Sequence, residues 1–61
     1  MKPGDVIEMS NGWMIEVDRV EPWPDSDNGD VYGRMGWLGE WTDVKYVGTI
    51  KGINQCRVSA A

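Results

Sequence analysis

Three glycines and two tryptophans are compressed into the eleven residues from Val31 to Trp41, and this stretch limits what the chain can become more than any other. Each of those glycines would destabilise a helix by about 1 kcal/mol relative to alanine. They suit a strand that bends sharply and lets a second backbone or a large ring approach closely. Val31, Gly33, Met35 and Trp37 alternate here with Tyr32, Arg34, Gly36 and Leu38. The first set carries no charge, and a period of two is that of a strand with one face buried. A small curved β-sheet is the expectation.

The flanking sequence extends this reading. Lys2-Pro-Gly is a turn signal, and a strand is expected from Asp5, with Ile7 and Met9 on its inward face. Asn11-Gly12 reads as a type I′ hairpin turn, in which both residues take positive φ. The returning strand places Trp13, Ile15 and Val17 on one side and Met14, Glu16 and Asp18 on the other. Val20 then falls out of phase, which predicts a β-bulge near Asp18-Arg19. Residues 21–30 read as a loop, with two prolines, a glycine and an Asn28-Gly29 turn. Beyond Trp41, Thr42–Gly48 alternates as a strand, or a short helical turn leading to one, and Thr49–Val58 reads as a final strand interrupted near Gly52. Ser59-Ala-Ala61 reads as a tail.

With 61 residues the chain is expected to form one domain, 1–61, near the size at which a core barely offsets the entropy of ordering the backbone. Its single cysteine, Cys56, rules out an intramolecular disulfide and is expected to be a small buried apolar group. The unpaired thiol and the lack of anything like a signal peptide point to the cytoplasm. No run approaches a membrane span. The formal charge of −4 argues against a protein that coats nucleic acid. That charge is uneven: residues 1–30 hold eight of the ten acids but two of the six bases.

The search for chemistry is largely negative. There is no histidine to act as a base, and Ser10, Ser26 and Ser59 have no evident activating partner, so no enzymatic activity is expected. Asp25-Ser-Asp-Asn-Gly-Asp30 invites a calcium reading, but counting from Asp25 the glycine arrives one place early and the twelfth position is Gly36 rather than glutamate. Neither a metal nor a cofactor is expected.

About five short strands joined by hairpins suggest a strongly bent antiparallel sheet or a barrel. Lys2-Pro-Gly-Asp-Val-Ile, followed by Asn11-Gly12 and Ile15-Glu-Val-Asp-Arg-Val20, resembles the first hairpin of SH3-like small β-barrels, including KOW-type and Tudor-type modules. The chain is also similar in style to short cytoplasmic reading frames of bacteriophages, especially those of actinobacteria. The resemblance implies an all-β, SH3-like barrel of about five antiparallel strands. Such barrels serve RNA binding, peptide binding and subunit assembly alike.

The aromatics exceed what folding demands: four tryptophans and two tyrosines with no phenylalanine. Tryptophan and tyrosine are enriched in binding hot spots. Trp37 and Trp13 are assigned to the core. Trp23, held between Pro22 and Pro24 in the acidic loop, is hard to bury and is read either as a cap on the barrel or as an anchor for a partner. The expected binding residues are Trp23 with Asp25 and Asp27, and Tyr32, Trp41 and Tyr46. The leading reading is a non-catalytic, phage-type accessory protein that engages a host or phage protein. The alternatives are a nucleic-acid-associated barrel using Arg34, Lys45, Lys51 and Arg57 with Trp41 or Tyr46, and a subunit of a homo-oligomer, at least a dimer.

Overall fold

The computed structural model describes residues 1–58, so Ser59-Ala-Ala61 lies outside the described residues. The chain is all-β in character, with five strands, β1 (Val6–Glu8), β2 (Met14–Pro22), β3 (Gly29–Trp37), β4 (Glu40–Trp41) and β5 (Lys45–Thr49), followed by one helix, α1 (Ile50–Cys56). All strand pairs are antiparallel. β1 pairs with β2, and β2 with β3 along its length. The far side of β3 is shared: β4 covers its last residues and β5 its first, as two pieces of one bent outer strand. Residues 31–37 of the Val31–Trp41 stretch therefore lie in the central strand, and the rest of it turns into β4. The phase shift expected near Asp18-Arg19 is present as a register irregularity between Val17 and Arg19.

One face of the sheet is the core. Register places Ile7 opposite Ile15 and Ile15 opposite Met35, and Ile7, Ile15, Val17, Val31 and Ile53 form the buried cluster. Fully burying each such side chain contributes about 1.5–3 kcal/mol, so five of them leave little margin in a chain this short.

Several expectations are corrected. The sheet does not close as a barrel: instead of a final strand, Ile50–Cys56 is helical, and only residues 56–58 return to β1, through a single bridge between Met9 and Arg57 and the bonds Ser10 N to Cys56 O (2.7 Å) and Val58 N to Glu8 O (2.8 Å). The helix arises because Thr49 caps it, its Oγ1 accepting from Gly52 N at 3.1 Å. Ile50 and Ile53, three residues apart, lie against the core. Seven residues would not hold a helix alone, so this packing decides it.

The first hairpin is not type I′. Gly12 N donates to Met9 O (3.0 Å) and only Gly12 takes positive φ, which is the three-residue loop closed by a left-handed glycine. The acidic loop is shorter than the expected 21–30, because Glu21 pairs with Asp30 and Pro22 with Gly29. Asn28-Gly29 is no turn, the left-handed residue being Asp25. Cys56 is exposed rather than buried. Trp13 and Trp37 lie outside the core cluster: they stack on each other at 5.2 Å over the end of the inner face, with Trp37 41% exposed.

Candidate functional site

The helix packs on the inner face, and among the described residues no element covers the opposite face of the sheet. Its occupants follow from register. After the bulge, Arg19 pairs with Tyr32 and Tyr32 with Tyr46. Tyr32 and Tyr46 meet edge to face at 5.8 Å, and the Arg19 guanidinium lies 4.2 Å from the centre of the Tyr32 ring. Arg19 also bonds Glu21 through Nε at 3.0 Å. The pair is exposed, so the ion pair itself contributes at most about 1 kcal/mol. Its effect is to hold the guanidinium over the ring, where a cation–π contact adds about 0.5–1 kcal/mol at an exposed site.

Farther along β3, Gly36 pairs with both Met14 and Trp41. A Cβ at Gly36 would lie 2.9 Å from Cδ2 of Trp41, so the absent side chain is what lets the indole lie across the sheet. Gly33 plays the matching role for backbone, since a Cβ there would collide with the carbonyl of Glu16 beside the bulge. Between the two aromatic rows stands the cross-strand pair Glu16–Arg34. At about 3.3 Å per residue, Tyr32 and Gly36 are roughly 13 Å apart along the strand.

Tyr32, Tyr46 and Trp41, named from sequence as binding residues, thus share one open face. Trp23, Asp25 and Asp27 are brought to its far end. There the loop is closed by Trp23 N donating to Asn28 O (3.0 Å) and Asn28 N to Ser26 Oγ (3.1 Å), and Asn28 Oδ1 accepts from the Lys51 amide of α1 at 3.1 Å. Trp23 is 42% exposed and both acids are exposed, so the indole is neither a buried plug nor free of the fold. Sequence reasoning missed Arg19, whose pairing with Tyr32 depends on the bulge, and the tie from Asn28 to α1. The four bases nominated for nucleic acid do not gather: Arg34 stands on the open face, Lys45 begins β5, Lys51 is in α1, and Arg57 lies beside Met9.

Register also places Glu8, Glu16, Glu21 and Asp30 on the open face against Arg19 and Arg34, so with Asp25 and Asp27 the surface is acidic. Among the described residues no three acids or thiols are grouped as a metal ion requires, no pocket is enclosed, and no helix is long and apolar enough to cross a membrane. In comparisons with known proteins, no family, no curated protein and no solved structure matches the chain.

Proposed function

We propose that the chain is a non-catalytic protein-binding module, a cytoplasmic accessory protein of the bacteriophage type built on an SH3-like sheet, that engages a basic segment of a host or phage protein. The observation that carries this reading is that the Arg19–Tyr32–Tyr46 row and Trp41 share a face that no other element among the described residues covers. Aromatic side chains offer large contact area with few torsions to freeze, which is why they dominate hot spots. The surrounding carboxylates favour a basic partner and raise its rate of encounter. Affinity capture from host extract compares wild type with Tyr46→Ala and Trp23→Ala. A partner recovered by wild type is expected to be lost from both variants while each still unfolds cooperatively, above the temperature of the capture. Submicromolar binding of DNA or RNA near physiological salt, abolished by Arg34→Ala, would replace this reading with a nucleic-acid one.

A second reading, a subunit of a homo-oligomer, is favoured by the outer edge of β4 and β5, beside which no further strand lies among the described residues. A mass at tens of micromolar that matches a monomer, with a melting temperature independent of concentration, removes it.

A further inference from the structure

Resting on the protein-binding reading, we propose that the β3–β4 hairpin tip is an insertion element: Leu38, bracketed by Trp37 and Trp41, enters an apolar pocket of the partner protein whose mouth carries lysine or arginine. The tip is a two-residue turn between Trp37 and Glu40, and both of its central residues are left-handed, Leu38 at φ 52 and Gly39 at φ 83. That is the turn for which Asn-Gly is preferred, and here its first position is held by leucine. A leucine has no polar atom to offset the left-handed conformation, whose strain in a bulky residue calls for a compensating contact. The described residues supply little, because Leu38 is 86% exposed. It is also the only leucine of the chain, whose core is built of isoleucine and valine.

The surroundings define the occupant. Trp37 turns to the inner side against Trp13, and Trp41 lies across Gly36 on the outer side, so the leucine projects between two half-exposed indoles. The only charges from Met35 to Val44 are Glu40 and Asp43, both exposed. They complement a basic pocket mouth and disfavour an anionic lipid surface.

Because Leu38 is the only leucine, replacing leucine by its diazirine analogue places a photo-cross-linker of nearly the same shape at this one position. The full-length labelled chain is irradiated in host extract, and the adduct sites are mapped by mass spectrometry. The expected result is one dominant protein, modified at residues that line an apolar cavity with lysine or arginine at its mouth. Unlabelled wild type should compete about tenfold better than Leu38→Asn, a difference of about 1.4 kcal/mol. Leu38→Asn suits the turn and should melt about 4 °C higher than wild type, which separates lost binding from lost folding. Adducts to lipid, to a second copy or to polar surfaces, no adduct at all, or equal competition by Leu38→Asn would overturn the proposal. Tyr46→Ala as a further competitor separates the two readings: if it competes poorly while Leu38→Asn competes fully, the open face binds and the tip does not, whereas full competition by both removes both.

Discussion

The two ends of β3 reach the same backbone conformation by opposite means. In the loop that precedes it, Asp25 sits at φ 56; in the turn that follows it, Leu38 sits at φ 52. Aspartate tolerates this region, and its loop is closed by the Trp23–Asn28 and Asn28–Ser26 bonds and tied to α1 through Asn28. At the other end the turn is as short as a hairpin allows, and its left-handed position is held by an exposed aliphatic residue. One end is composed as a folding problem would ask, and the other departs from it where departure brings little burial among the described residues. That contrast separates residues retained for the fold from those retained for something outside it.

The largest test concerns what presses on β3 at each end. A Cβ at Gly29 would meet the Glu21 carbonyl oxygen at 2.7 Å and Pro22 Cα at 2.8 Å, both backbone, whereas at Gly36 the nearest atoms, at 2.9 Å, all belong to the Trp41 ring. Backbone in a paired strand has nowhere to go, but an indole that is 44% exposed can swing outward. Gly29→Ala is expected to lose about 3 kcal/mol in urea unfolding and Gly36→Ala about 1 kcal/mol. Gly36→Ala should also increase acrylamide quenching of tryptophan fluorescence. Equal losses, with quenching unchanged, would mean that Trp41 is as firmly built in as the backbone.

Next in size is the pair of tryptophans at opposite ends of the open face. Trp23→Ala and Trp41→Ala should each cost stability well under the roughly 3–5 kcal/mol of a truncated core aromatic, while each weakens partner binding by about 2 kcal/mol. Calorimetric melting and titration with the captured partner measure both. If Trp23→Ala unfolds the domain and binding per folded molecule is unchanged, Trp23 is a structural cap and the site contracts to Tyr32, Tyr46 and Trp41.

Much of this geometry was legible in the sequence wherever local pattern and tertiary demand agree. Ile7, Ile15, Val17 and Val31 follow strand alternation, the bulge follows from the phase of Val20, and the glycines of β3 announce close approach. The helix was not legible, because Ile50 and Ile53 offer only one helical repeat around Gly52. Its formation depends on burying Ile53 against strands distant in sequence. The same helix takes residues that a closed barrel would need as a strand, which leaves Trp13 and Trp37 at an open end rather than inside. Of the candidate site, aromatic identity pointed to Tyr32, Tyr46 and Trp41. That they share a face, and that Arg19 joins them, depends on a register that the bulge resets.

A smaller effect isolates the left-handed residues themselves. Leu38→Asn should stabilise the chain by about 1 kcal/mol, since strain of this kind amounts to about 1–3 kcal/mol and asparagine relieves part of it. Asp25→Asn should leave stability within about 0.5 kcal/mol, as for an ordinary surface change. A loss of stability in Leu38→Asn would show that the leucine is supported by the fold after all, and the contrast between the two ends would vanish.

The smallest effect is kinetic and separates the acids of the two ends. Among the described residues the only ion pair joins Arg19 to Glu21, so Asp25 and Asp27 at one end and Glu40 and Asp43 at the other stand without a cationic side chain in contact. Unpaired exposed carboxylates act at long range: they accelerate encounter with a basic surface and contribute little once the complex has formed. Removing two charges with Asp25→Asn and Asp27→Asn should slow association about threefold at low salt, where the screening length is about 30 Å, and leave it unchanged at 1 M, where that length is about 3 Å. Dissociation should be unaffected, because the loop acids flank an anchor rather than enter a pocket. Glu40→Gln with Asp43→Asn should instead speed dissociation, since those acids border an inserted leucine and meet the pocket mouth at contact distance. Stopped-flow mixing across a salt series resolves the two. Identical behaviour of the two double variants would mean that charge at both ends only steers, and that the tip does not penetrate its partner.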